Sequence, residues 1–327
     1  AITDFNLAPT VHGLVFDGST TADGIEFYTS PSGDAGDYTR ISSYTESISA
    51  VNGIFSNGTR AFAALTSSTT GQELIATDGA ACSPIIDLAP GTGAGFVYGG
   101  AFLPDGRFVF AGTTAATGRE PFVSDGTAAT TSLVLDIRSG TANGLNTTGS
   151  FMALDGLVYF FADDGVHGPE LWVTDGSAAG THLAQEISTA TGYANVALYT
   201  VFDGYLYLSP PAATGNVKLY RTNGGALEQV VASDGAQLAN LRGFTVHNGV
   251  LFFLAPASVT ASGQVSLYRL DGLVARKVMD YYCDIGLYSE TMNPNTVLNS
   301  SLVSAAGKLF ASLDLNGAVG RELYTAE

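Results

Sequence analysis

The sequence predicts an all-β fold, specifically a seven-bladed β-propeller of four-stranded antiparallel blades. Three observations predict it. One motif recurs along the whole chain, a turn followed by an apolar strand precedes every copy, and no window sustains a helical apolar period for three turns. Forty glycines in 327 residues and apolar runs of four to six favour short strands joined by tight turns.

The motif is clearest at GPELWVTDGSAAGTHL, from Gly168 to Leu183. It recurs as GREPFVSDGTAATTSLVLDI from Gly118 and GQELIATDGAACSPIIDL from Gly71. Weaker copies are GIEFYTSPSG from Gly24, NVKLYRTNGG from Asn216 and QVSLYRLDG from Gln264, and GRELYTAE ends the chain. The glutamate position falls at Glu26, Glu73, Glu120, Glu170, Lys218, Ser266 and Glu322, at spacings of 47, 47, 50, 48, 48 and 56. Chance does not produce that regularity.

Each repeat reads as four strands. Strand A is the apolar run after an Asn-Gly, Asp-Gly or similar turn, as in DGLVYFFAD and NGVLFFLA. Asn-Gly and Asp-Gly suit a two-residue β-turn because both central positions take φ > 0. Strand B is the ELWVT segment, strand C follows the TDG turn (HLAQEI, SLVLDI), and strand D closes the repeat (SFMAL, ALYTVF). Four strands in about 45–58 residues make a propeller blade. The expected blades are 12–57, 58–105, 106–155, 156–203, 204–248, 249–306 and 307–327 plus 1–11, one domain whose ring is closed by strands from both termini. Glu170 and Trp172 share one face of strand B, Leu171 and Val173 the other.

With those residues in view, the chain resembles the ELWxxDGT-repeat proteins of secreted or surface-attached microbial polypeptides. The match is strongest at 170–181, good at 120–131 and 73–84, and decays where Lys218 and Ser266 replace the glutamate. The resemblance implies an extracellular β-propeller and no known catalytic constellation. Fold analogy does not supply a function.

Composition narrows the partners. A formal charge of −17 with only 13 basic residues argues against nucleic acid and anionic membranes. No apolar run reaches the 18 or so residues that cross a bilayer. The start at Ala1 fits a mature secreted protein, and sequons stand at Asn57, Asn146 and Asn299. The expected setting is extracellular and cell-surface associated.

Candidate sites are few. Nucleophilic catalysis needs nucleophile, base and orienting group together. His12, His167, His182 and His247 fall in different blades and read as turn or surface residues. No enzyme activity and no cofactor is expected. Asp125, Asp175 and Asp271 end strand B and are weak Ca²⁺ candidates, although turn chemistry alone explains Asp before Gly. Asp163-Asp164-Gly165, in the loop after strand A, is ambiguous in the same way. Cys82, in a B–C turn, and Cys283, in a C–D loop, fall on opposite faces, too far apart for a bridge. Tyr159, Phe160, Phe161, Phe252 and Phe253 read as core. Tyr281, Tyr282 and Tyr288 border the longest insertion, Asp280 to Ser300, and read as a contact loop. The A–B and C–D loops, which vary in length, form the expected contact face. The leading expectation is a non-enzymatic adhesion or surface-assembly module that touches protein or glycan, self-assembly included. A carbohydrate-active hydrolase or lyase using carboxylates near the ring axis, and a lectin, are the alternatives.

Overall fold

The computed structural model describes residues 7–20, 24–34, 36–42, 48–146, 150–187, 197–209, 218–236, 238, 241–256, 264–282, 302–305, 307–314 and 321–326. Its described residues contain no helix. Their strands form seven sheets, five of them four-stranded. The chain divides into two compact units, Ala1–Glu186 and Ile187–Glu327.

In the first unit the sheets are antiparallel meanders. The first joins β1 (Leu7–Thr10), β2 (Gly13–Thr20), β3 (Gly24–Ser30) and β4 (Thr39–Arg40). The second joins β5 (Ile48–Ser56), β6 (Ala61–Ser67), β7 (Gly71–Thr77) and β8 (Cys82–Ile86). The third joins β9 (Phe96–Phe102), β10 (Phe108–Thr114), β11 (Gly118–Ser124) and β12 (Ser132–Leu133). The fourth joins β13 (Phe151–Leu154), β14 (Leu157–Asp163), β15 (Pro169–Thr174) and β16 (His182–Gln185).

These strands are apolar on both faces because each inner sheet is covered on both sides. Val15 and Phe27 pack with Ala63, Leu65 and Ile75 between the first two sheets. Phe62, Leu74, Phe108, Phe110 and Phe122 fill the next interface, and Val109, Val123, Val158 and Phe160 the one after. Tyr159, Phe160 and Phe161 are buried, as expected.

The second unit carries β17 (Ala197–Phe202), β18 (Tyr205–Ser209), β19 (Tyr220–Thr222) and β20 (Glu228–Gln229). Next come β21 (Val231–Ala232), β22 (Arg242–His247), β23 (Val250–Pro256), β24 (Gln264–Asp271) and β25 (Val274–Tyr282) as one five-stranded sheet. The last sheet has three described strands, β26 (Leu302–Ala305), β27 (Lys308–Asp314) and β28 (Arg321–Ala326). Tyr207, Phe253 and Tyr268 centre the core of this unit.

Two corrections concern phase. The strand expected to end each blade pairs with the strand after it, so sheets begin one strand earlier than the expected blades. Leu7–Thr10 accordingly pairs with Gly13–Phe16 in the first sheet and not with residues near the C-terminus. The reason is local: a hairpin closed by two residues orders far less chain than a pairing across the whole sequence.

Candidate functional site

The repeated glutamate is the most organised polar feature. Glu26, Glu73, Glu120 and Glu170 are all buried, and the carboxylates of Glu73 and Glu120 hold the loops that follow their sheets. Glu73 accepts N–H groups of Leu88 at 3.1 Å, Ala89 at 3.3 Å and Gly95 at 3.0 Å. Glu120 accepts those of Ile137 at 3.1 Å, Arg138 at 3.2 Å and Gly144 at 2.9 Å. Glu26 receives the hydroxyl of Ser42, which itself accepts Phe27 N–H at 2.7 Å. The same glycines reach the next sheet: Thr113 N–H donates to Gly95 O and Asp163 N–H to Gly144 O. Each carboxylate thus ties strand, loop and following sheet together. Burial pushes Glu73 and Glu120 up to about 7 against the pull of those N–H donors, and Asp87 and Asp136 add to the rise.

The first glycine of the motif has a related reason. Gly118 sits at φ 67° with the backbone of Thr141 and Ala142 where a side chain would project, and Gly71 repeats this against Thr92 and Gly93. Only glycine takes both the left-handed backbone and the close approach at no steric cost.

The Asp-Gly segments divide into two kinds. Asp155-Gly156, Asp203-Gly204 and Asn248-Gly249 have φ > 0 at both positions, as a two-residue hairpin requires. After strand B only the glycine has positive φ, at Gly126 and Gly176, and the chain runs on in a longer loop. The expected two-residue turn there is corrected. Its hydrogen bonds explain the sequence: Gly176 N–H donates to Thr174 Oγ1 and Ser177 N–H to Asp175 Oδ1, with Gly126 and Thr127 repeating the pattern on Ser124 and Asp125.

The three calcium candidates lie in three separate turns. The Thr130 hydroxyl, with Thr127, holds Asp125 below its ordinary value. The Ser177 hydroxyl and N–H do so for Asp175, and the Arg276 guanidinium, 2.7 Å away, for Asp271. Among the described residues no group of three or more His, Cys, Asp or Glu is placed to hold a metal.

Basic residues before strand A reach the Asp turn of the next sheet. Arg107 donates to Gly176 O at 3.2 Å and Asp175 O at 3.0 Å. Arg60 lies against Gly126, and the His12 ring is 3.0 Å from Asp78 O. In the loop after β14, Asp163 pairs with Arg138 at 2.8 Å and Asp164 with the His167 ring at 2.8 Å, which raises the His167 value. His182 is exposed. His247 is not the surface residue expected: it is buried on β22, with Nδ1 2.9 Å from Ser304 Oγ on β26.

Cys82 begins β8, half-buried against the cluster of Val15, Phe27, Ala63, Leu65 and Ile75, rather than lying in the turn. Cys283, Tyr288 and Asn299 lie outside the described residues, and with them the expected thiol geometry. Tyr281 and Tyr282 end β25, opposite Val265 and Gln264, so they belong to a strand and not to a loop. Asn57 is exposed, its Oδ1 accepting Thr59 and Arg60 N–H, and Asn146 is half-buried.

Neither a family model nor a curated protein matches the sequence. Solved structures do. A prolyl endopeptidase aligns with a TM-score of 0.55 and 9% identity over 99% of this chain and 49% of its own. Prolyl oligopeptidase B of Galerina marginata gives 0.52 and 12% over 94% and 47%. An uncharacterised protein of Listeria monocytogenes gives 0.51 and 12% over 95% and 89%. The likeness shows a propeller-like all-β fold, and the chain spans about half the length of the two prolyl peptidases. It overturns the expectation of a non-enzymatic adhesion or surface-assembly module, and of a lectin or carbohydrate-active enzyme, because two of these three neighbours are peptidases. The expectation that the chain is no enzyme loses its support on the same ground.

Proposed function

We propose that the chain is a peptidase-related β-propeller that contacts polypeptide, equivalent to the half of a prolyl peptidase that it matches. Coverage carries this reading: 99% and 94% of this chain align with 49% and 47% of two such enzymes. For that endopeptidase, inter-domain dynamics have a role in catalysis and specificity. By fold analogy, the propeller half here governs which polypeptides engage a catalytic partner.

We take the seven sheets as seven blades of a ring. One face of the first sheet supports this. Val15 and Phe27 face the second sheet, whereas Phe16, Tyr28 and Tyr38 cluster at 5.6–6.3 Å with Tyr38 51% exposed, an apolar face that one more blade would cover. Kinship with the ELWxxDGT-repeat proteins and an extracellular setting complete the proposal, supported by the repeat and by the charge of −17.

The test is to incubate the purified chain with labelled proline-containing peptides and to measure binding and cleavage. Saturable peptide binding is the expected result. Cleavage by the chain alone would place catalysis within it. Binding to no peptide would overturn the proposal.

A further inference from the structure

Asn-Gly pairs occur six times in the chain, and the one at Asn57-Gly58 is set apart by its surroundings. It lies in the turn between β5 and β6. Asn57 N–H to Arg60 O at 3.3 Å and Val11 N–H to Thr59 O at 3.1 Å brace that turn. Asn57 and Gly58 are exposed, and nothing stands where a side chain on Gly58 would project.

Three hydrogen bonds converge on this pair. Asn57 Oδ1 accepts the N–H groups of Thr59 and Arg60, both at 2.9 Å. Those donors draw electrons from Cγ and are placed for negative charge on Oδ1, as the donors of an oxyanion hole are. Gly58 N–H donates to Ser56 Oγ at 2.9 Å, and the Ser56 hydroxyl in turn donates to Pro9 O. That second bond makes Oγ a better acceptor for the Gly58 proton.

Two other pairs are arranged differently. At Asn143-Gly144, the Gly144 N–H is committed to Arg119 O at 3.0 Å and Glu120 Oε1 at 2.9 Å, and the carboxylate crowds the space beside the glycine. At Asn223-Gly224, the Gly224 N–H also meets a hydroxyl, Thr222 Oγ1 at 3.1 Å. There Oδ1 accepts the N–H of Gly225 at the longer distance of 3.3 Å.

We propose that Asn57 is a self-modification site, where the main chain converts the asparagine to aspartyl and isoaspartyl residues. Gly58 N attacks Cγ, so that the N–Cγ bond forms and the Cγ–Nδ2 bond breaks. Nδ2 leaves as ammonia, and the proton it gains balances the one that Gly58 N gives up by way of Ser56 Oγ and water. Water then opens the resulting succinimide at either carbonyl. Both products add a negative charge to the turn, and the isoaspartyl product lengthens the main chain between β5 and β6 by one methylene. This inference stands independently of the peptidase-related reading.

The test is to incubate the folded chain and, in parallel, the urea-unfolded chain at neutral pH. Peptide mass spectrometry follows deamidation at Asn57, Asn143 and Asn223. All three share the Asn-Gly dipeptide, so the unfolded chain reports the dipeptide alone. In the folded chain Asn57 should react about tenfold or more faster than Asn223, with Asn143 slowest, and faster than Asn57 does in urea. Ser56→Ala, with circular dichroism unchanged, should slow Asn57 and leave Asn223 as it was. A folded chain in which Asn57 reacts no faster than in urea, or no faster than Asn223, overturns the proposal. So does a rate at Asn57 that Ser56→Ala leaves unchanged or raises.

Discussion

Glu73 Oε1 accepts the N–H of Gly95 at 3.0 Å, across twenty-two residues of sequence. Glu120 and Gly144 repeat the bond at 2.9 Å across twenty-four. Two copies of one motif have built the same joint, each with three backbone donors on one buried carboxylate.

Removing either carboxylate orphans two N–H groups, those of Leu88 and Ala89 or of Ile137 and Arg138, while Gly95 and Gly144 N–H keep a second acceptor at Gln72 O and Arg119 O. Each orphan costs about 1–3 kcal/mol, so Glu73→Ala and Glu120→Ala should each destabilise by about 2 kcal/mol or more. Urea unfolding of the two variants checks this, with an exposed substitution such as Val166→Ala expected to fall within about 0.5 kcal/mol of the parent.

Gly95→Ala and Gly144→Ala should damage the same joint from the other side, because a methyl at either position projects into the glutamate carboxylate. About 1–3 kcal/mol of overpacking is expected. Nothing stands where the methyl of Gly36→Ala would project, but that residue has φ 89°. It therefore reports the backbone cost alone, about 1 kcal/mol or more. Thermal melts of the three variants separate the two effects.

The fold was legible because strand, turn and period are local or periodic signals. The glutamate was visible as a repeat position and read as one face of a strand, but its role was not. Its partners lie 15 to 24 residues onward in Gly-rich loops whose lengths differ between copies, so no fixed spacing marks them. The phase of the sheets was missed for a similar reason, since a period fixes spacing and not where a unit begins. His247 was misread because its partner Ser304 lies 57 residues away on another sheet. The peptidase likeness, at 9–12% identity, leaves no motif to read.

Stability should depend on pH in the neutral range. Glu73 and Glu120 bind a proton more tightly when folded, at about 7 against an ordinary 4.5. Their contribution is complete below about 4.5 and is lost as pH rises through 7, on the order of 3 kcal/mol each at most. The lowered Asp125, Asp164 and Asp175 act in the opposite sense, and only below about pH 4. The denaturation midpoint should therefore fall between about pH 4.5 and 7.5 and level off above, and the double variant Glu73→Gln and Glu120→Gln should flatten that slope.

Arg107→Ala should cost about 1–2 kcal/mol, since it removes two donors to the Asp175-Gly176 turn of the neighbouring sheet. Arg107→Lys should recover only part, because an ammonium does not present the same planar fork. Chemical denaturation of both variants checks the ranking.

Amide hydrogen exchange tests the central claim, that the repeated glutamate joins strand, loop and next sheet, most directly. The amides of Leu88, Ala89, Gly95, Ile137, Arg138 and Gly144 lie in loops, yet they should exchange as slowly as those of β7 and β11. Glu73→Gln should speed exchange of Leu88 and Ala89, whose acceptor is that carboxylate, more than that of Gly95, which also donates to Gln72 O, and should leave Ile137, Arg138 and Gly144 slow. Fast exchange of all six in the unaltered chain would contradict the account.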